Sequence, residues 1–134
     1  MARFSRLGEH GLGWYAVALA GAALDPPRRP LYLRAARVTA GAFVANQAIK
    51  LAVRRGRPEL EDLPALIETM SRRSYPSAHA TTSFAAAAAL PLPAAPLYAV
   101  AAAMAISRVY LGVHYPSDSA AGIALGGAVA VLTP

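Results

Sequence analysis

The sequence predicts an all-α bundle of about five short transmembrane helices with its working site at one membrane face. Three observations carry that prediction. Hydrophobic residues make up 56% of the chain and charged residues only 15%, well under the roughly 25% charged share of ordinary soluble domains. The apolar residues fall into five runs set apart by proline clusters and basic strings. Across the chain 33 alanines stand against 16 leucines, so each run is faintly hydrophobic and the packing of small residues must carry much of the helix association. At 134 residues a single domain spanning the whole chain is expected.

The first run, Gly11 to Leu24, follows Arg3 and Arg6 and imitates a signal peptide, with Ala20-Gly-Ala22 in the place of a cleavage site. Retention as a first helix accords better with the apolar runs that follow. Asp25-Pro-Pro-Arg-Arg-Pro30 closes this run, since successive prolines cannot continue a helix. The second helix is expected over Leu31 to Val53. Arg54 to Tyr75 is the one long polar insertion and carries Glu59, Glu61, Asp62, Glu68, Arg72 and Arg73, with a short interfacial helix expected over Leu63 to Met70. The third helix is expected over Ala78 to Leu90, the fourth over Ala94 to Tyr110 and the fifth over Ser119 to Leu132. Within the fifth, Gly122-Ile-Ala-Leu-Gly126 fits small-xxx-small packing inside the bundle.

One choice decides whether there is a site at all. Ala80 to Ile106 carries no charge and could be one long traverse or two broken at Pro91, Pro93 and Pro96. Three prolines in so short a stretch favour the break. With two traverses, the end of the second helix, the start of the third and the end of the fourth meet at one face; with one, they are separated by the bilayer. Several runs fall short of the about 20 residues that span a membrane, so polar flanks, local thinning or oligomer contacts must cover the difference. On the site side stand Arg3, Arg6, Arg54, Arg55, Arg72 and Arg73, against Arg28, Arg29, Arg34 and Arg37 opposite, which leaves the orientation open.

The formal charge is +6, yet the cations cluster between apolar runs instead of lining a face with interleaved aromatics, so nucleic acid is not the expected partner. Anionic lipid or phosphate is. The chain has no cysteine, which excludes disulfides, thiolate catalysis and thiolate-bound metals. A two-metal site needs several clustered carboxylates, and Glu59, Glu61 and Asp62 are more simply read as balancing the neighbouring arginines. No metal or cofactor is expected.

Three strings hold the candidate chemistry: Lys50-Leu-Ala-Val-Arg-Arg-Gly-Arg57-Pro58, Tyr75-Pro-Ser77-Ala-His79 and Ser107-Arg108-Val-Tyr-Leu-Gly-Val-His114-Tyr-Pro-Ser-Asp118. Cleaving a phosphate ester requires neutralised phosphoryl oxygens, an in-line nucleophile and a proton for the leaving oxygen. Lys50, Arg57 and Arg108 offer cations, two of them guanidiniums suited to bidentate contact. Ser77 offers a hydroxyl, and the start of the third helix offers backbone N–H groups. His114 and Asp118 are four apart around Pro116, so the carboxylate can accept a hydrogen bond from one ring nitrogen and leave the other to attack. Taken singly, each has a plainer role: Lys50 to Arg57 as an interfacial anchor, Ser77 and Asp118 as helix caps, His10 as an interfacial bystander.

In order and spacing these strings resemble the type 2 phosphatidic acid phosphatase superfamily, which includes lipid phosphatases and vanadium haloperoxidases. The resemblance runs from Lys50 to Asp118. It implies that His114 is phosphorylated, Asp118 orients it, His79 protonates the leaving group, and Lys50, Arg57, Ser77 and Arg108 bind phosphate. It further implies metal-independent hydrolysis of a lipid phosphomonoester or pyrophosphate through a phosphohistidine, in a bacterial plasma membrane. The chain departs from the family at Ala78, where a glycine usually stands. Asn46-Gln47 and the Val53 to Pro58 run resemble the small bacterial enzymes that dephosphorylate decaprenylphosphoryl-5-phosphoribose in cell-wall synthesis. Undecaprenyl pyrophosphate, phosphatidic acid and phosphatidylglycerophosphate stay open as substrates, as does a homo-oligomer. A non-catalytic phospholipid-binding protein is the alternative from another class; a haloperoxidase is disfavoured because those relatives are larger and soluble.

Overall fold

The computed structural model describes residues 11–59, 65–67, 69 and 71–134. Arg3, Arg6, His10, Glu61, Asp62, Glu68 and part of the Leu63 to Met70 segment lie outside the described residues. The described chain forms five α-helices: α1 (Leu12–Leu24), α2 (Arg29–Val53), α3 (Ala78–Ala89), α4 (Ala94–Tyr110) and α5 (Pro116–Leu132). A single 3-10 turn, Pro26–Arg28, joins α1 to α2. No strand forms among the described residues; Gly56 and Arg73 make one isolated bridge across the base of the polar insertion.

Two helices begin earlier than their apolar pattern does. α2 starts at Arg29, two residues before the expected Leu31, because Pro30 occupies its first turn, where the missing N–H costs nothing. α5 starts at Pro116 instead of Ser119 for the same reason, which brings Asp118 inside the helix as its third residue. Between α3 and α4 the chain does break, over Leu90 to Pro93. Proline removes the N–H that an uninterrupted helix would need there.

α3 lies at the centre, packed against α2, α4 and α5, while α1 packs mainly on α2. The segment that imitates a leader is thus built into the core, with Trp14, Ala18 and Ala22 buried. Trp14 donates its indole N–H to Ser83 Oγ at 2.9 Å. The rest of the core is mostly alanine (Ala35, Ala42, Ala85, Ala86, Ala101) with Tyr32 and Val38, which lets the helices approach closely enough for dispersion to act between backbones. The small-xxx-small face of α5 has the expected use. A Cβ on Gly122 would stand 2.7 Å from Ser77 O, and one on Gly126 would run into Thr81 O and lie 3.0 Å from Ala85 N.

Arginines tie off the end remote from the site. Arg28 reaches Pro91 O at 3.2 Å, Arg29 reaches Ala22 O at 2.9 Å, and Arg34 donates to Ala130 O and Thr133 O at 3.0 and 2.6 Å. Each satisfies carbonyls that a helix terminus or turn leaves without an internal donor. These contacts gather the start of α2, the α3–α4 turn and the end of α5 at one end of the bundle. The end of α2, the start of α3, the end of α4 and the start of α5 are therefore together at the other. Among the described residues no helix is both long enough and apolar enough to cross a membrane: α4 and α5 have 17 residues each, and the 25-residue α2 carries Arg29, Arg34, Arg37 and Lys50.

Candidate active site

A polar layer separates the alanine core from the site and sets its geometry. Asn46, fully buried on α2, donates to Pro76 O at 3.2 Å and to Thr81 Oγ1 at 2.9 Å. Thr81 Oγ1 donates in turn to Ser77 O at 2.9 Å, so one buried amide fixes the entry to α3 from two directions. One turn further along, Lys50 is buried and its Nζ donates to Arg73 O at 3.1 Å, with Ser74 O at 3.5 Å. Ser74 is pinned across the insertion, its N–H to Arg55 O at 2.9 Å and its hydroxyl to Gly56 O at 2.7 Å. The polar insertion is thereby closed back on the end of α2 before α3 begins.

Ser77 caps α3, its hydroxyl facing Ala80 N at 3.5 Å. Its own N–H donates to Asp118 O at 2.9 Å, which joins the start of α3 to the start of α5 directly. Ala78 is the first residue of α3, and Arg54 is the sole non-glycine residue with positive φ among those described. The position therefore needs no glycine-only backbone angle, and alanine at 78 costs nothing in backbone strain. His79 follows, half-buried, on the same turn.

Arg57, at the end of the first string, joins the polar insertion to the third string. Its Nε donates to Ser71 O at 2.7 Å and its Nη1 to Val113 O at 2.6 Å, and Nη1 lies 3.4 Å from His114 Nε2. A guanidinium can only donate, so Nε2 meets it with its lone pair and the ring proton resides on Nδ1. That assigned tautomer aims the Nδ1 proton at Asp118 Oδ2, 3.5 Å away. Asp118 is fully buried: Oδ2 accepts from Tyr115 N at 3.0 Å and Oδ1 from Arg55 Nη1 at 3.0 Å. Burial and the charges of Arg57, Lys50, Arg108 and His79 all disfavour the imidazolium and push His114 down to about 2. Its Nε2 is a neutral ring nitrogen in a cationic surround. Arg108 is buried near the end of α4, where it also bears on Lys50.

All seven residues singled out from the sequence, Lys50, Arg57, Ser77, His79, Arg108, His114 and Asp118, thus occupy one end of the bundle. The sequence left Arg55 as an interfacial anchor, whereas its side chain pairs with Asp118 and lies over the Tyr115 ring at 4.0 Å. It left Asn46 as a mark of likeness, whereas it is the clamp between α2 and α3. Neither contact has a local signature, since the partners are 63 and 35 residues apart in sequence. Among the described residues no three His, Cys, Asp or Glu side chains cluster as metal ligands would.

A carboxylate-backed imidazole whose free nitrogen faces cations is built to handle a phosphoryl group, and comparison with known proteins assigns the family. Residues 31–134 match the PAP2 superfamily. A decaprenylphosphoryl-5-phosphoribose phosphatase of Mycobacterium tuberculosis is 45% identical over 137 residues, covering 96% of this chain and 73% of that protein. The enzyme of the same name from Mycolicibacterium smegmatis is 46% identical over 125 residues, covering 88% of this chain and 67% of that one. A lipid A 1-phosphatase of Rhizobium etli is 45% identical over 64 residues, 45% of this chain and 28% of that protein. In fold, the chain superimposes on the crystal structure of a transmembrane PAP2 type phosphatidylglycerolphosphate phosphatase from Bacillus subtilis with a TM-score of 0.80, at 24% identity, over 99% of this chain and 72% of that one. The chain belongs to the PAP2 superfamily and is a phosphatase of that family.

Proposed function

We propose that this protein removes the phosphate monoester from decaprenylphosphoryl-5-phosphoribose, or from a polyprenyl-linked phosphate of the same kind, by way of a phosphohistidine. The observation that carries the mechanism is His114, whose Nδ1 faces Asp118 and whose Nε2 faces Arg57. Lys50, Arg57 and Arg108 would neutralise the phosphoryl oxygens, joined by Ser77 and the N–H groups at the start of α3. Nε2 attacks phosphorus in line, and the P–O bond to the sugar breaks as the N–P bond forms. Asp118 stabilises the positive charge that develops on the imidazole. His79 gives its proton to the departing oxygen, then takes one from the water that cleaves the N–P bond, which releases inorganic phosphate and restores both histidines.

We read the setting as a membrane, and the surface supports that reading. Leu19, Val44, Val100, Ile106, Tyr110, Val131 and Leu132 are all exposed on the helices, where a bilayer would cover them. α4 and α5 rise about 26 Å, and α2 about 37 Å, at the helical rise per residue. The 13-residue α1 and 12-residue α3 rise only about 20 and 18 Å, so in a core of about 30 Å polar flanks, local thinning or contacts with other chains make up the difference. The lipid tail then lies along the bundle with its phosphate in the basic end. The names of the two mycobacterial relatives supply the polyprenyl phosphoribose. A non-catalytic lipid binder loses its main support, because Ala78 sits in an ordinary helical conformation.

The test is release of inorganic phosphate from a panel of decaprenylphosphoryl-5-phosphoribose, undecaprenyl pyrophosphate, phosphatidic acid and phosphatidylglycerophosphate, with His114→Ala beside the unaltered protein. The expected result is fastest release from the phosphoribose lipid and none from the variant. A preference for a glycerolipid overturns the substrate, and turnover by the variant overturns the mechanism.

A further inference from the structure

Beyond the residues that face the phosphate, Arg55 has a geometry that the mechanism does not yet use. We propose that Arg55 is a positioning residue for phosphoryl transfer, holding the Asp118 carboxylate in the rotation that turns Oδ2 to His114 Nδ1. The proposal rests on His114 as the nucleophile.

Asp118 is fully buried and has two oxygens with different duties. Oδ2 receives Tyr115 N at 3.0 Å and faces His114 Nδ1 at 3.5 Å. Oδ1 receives Arg55 Nη1 at 3.0 Å. Lys50 and Arg57 also attract this carboxylate electrostatically, and they stand on the pocket side. Without a cation behind it, the carboxylate has every reason to rotate toward them, since a buried charge turns to whichever partner is left. That motion would take Oδ2 off the imidazole and put a negative charge where the phosphate must bind.

Arg55 is itself held at three further points. The same Nη1 donates to Ser117 Oγ at 2.9 Å, the guanidinium lies 4.0 Å over the Tyr115 ring, and its backbone oxygen accepts Ser74 N at 2.9 Å. A planar guanidinium can stack and donate at once, which an ammonium cannot. Its side chain remains 38% exposed, whereas the carboxylate it pairs with is fully buried. Arg54 is a built-in contrast: one residue earlier and equally charged, it is exposed and, among the described residues, donates to Leu51 O within its own helix end.

The experiment measures steady-state phosphate release from decaprenylphosphoryl-5-phosphoribose by the full chain in detergent. A misplacement near 1 Å at a reacting group costs about 10²-fold in rate, so Arg55→Ala should lower kcat by about that factor with KM within about threefold. Arg55→Lys should recover about tenfold of the loss, and Arg54→Gln should stay within about twofold of the unaltered protein. In an Asp118→Asn background Arg55→Ala should cost no more than about threefold, because residues acting as one unit are not additive. A raised KM with unchanged kcat, a full loss in the Asp118→Asn background, or wild-type kcat in Arg55→Ala would each overturn the proposal. If Arg55→Ala fails to fold, Arg55→Lys against Arg55→Gln decides: Lys well above Gln supports it, and equal kcat overturns it. His114→Ala, assayed alongside, separates the two levels. Turnover there removes the nucleophile, whereas a dead His114→Ala with unaffected Arg55 variants removes only the role of Arg55.

Discussion

Replacing Gly122 by alanine should damage catalysis from a position that touches no substrate. The added Cβ would stand 2.7 Å from Ser77 O, 2.9 Å from Ala80 Cβ and 3.1 Å from Thr81 Oγ1. Two of these are fixed atoms of the α3 backbone and its first turn, so the helices must part. Reaching ordinary contact at 3.4 Å requires roughly 0.7 Å of separation. The Ser77 N to Asp118 O hydrogen bond, now 2.9 Å, would open to roughly 3.6 Å and cease to be one. Ser77 and His79 would move with α3, and His114 and Asp118 would stay with α5. A displacement of that size predicts a ten- to hundredfold fall in kcat, scaled from about 10²-fold per ångström. Stability would fall too, by about 1–3 kcal/mol for overpacking, offset by up to about 1 kcal/mol of helix propensity. Gly127→Ala is the control: nothing lies within 4 Å of its Cβ position, so it keeps full kcat and melts at or above the temperature of the unaltered protein. Phosphate release and thermal unfolding in the same detergent read both quantities. Equal kcat in the two variants would refute the link between helix spacing and the site.

Two further outcomes follow from the pocket itself. His114 is held at about 2 against an ordinary 6.5, so the unfolded chain binds its proton below pH 6.5 while the folded one does not. No penalty acts above pH 6.5, and one grows as pH falls toward 2, reaching about 2 kcal/mol at pH 5; the unaltered protein should lose about that much stability relative to His114→Gln between pH 7 and pH 5, and parallel curves would contradict it. Vanadate, which adopts the five-coordinate geometry of phosphoryl transfer, should inhibit competitively with substrate and lose potency in Arg57→Ala, whereas EDTA should leave turnover unchanged; a chelator-sensitive enzyme indifferent to vanadate would contradict the proposed chemistry.

Much of the bundle is legible in the sequence, for reasons visible in particular residues. Pro91 and Pro93 fall in the break between α3 and α4, Pro96 sits in the first turn of α4, where its missing N–H is tolerated, and that one break puts Ser77 and Arg108 at the same end. Spacing within each string survives folding because Lys50 and Arg57, or His114 and Asp118, are separated by fixed short stretches of backbone. The starts of α2 and α5 were less legible, since Arg29 and Pro116 extend the helices beyond their apolar pattern into turns that prolines initiate. Contacts between strings left no mark at all. Arg55 looks like any basic residue at a helix end until α5 brings Asp118 to it, and Asn46 looks like a polar residue at a helix end until Pro76 and Thr81 close over it. Ala78 also needed the backbone: as the first residue of α3 it requires an ordinary helical angle, which letters alone do not reveal.

The central claim is a covalent phosphate on His114 at one end of this bundle. Rapid quenching of the enzyme with lipid carrying radiolabelled phosphate, followed by peptide mapping, tests it directly. The account predicts label that survives alkali, is lost in acid, maps to the peptide holding residue 114 and is absent from His114→Ala. Turnover at full rate with no label, or label on Ser77 or His79, would contradict it.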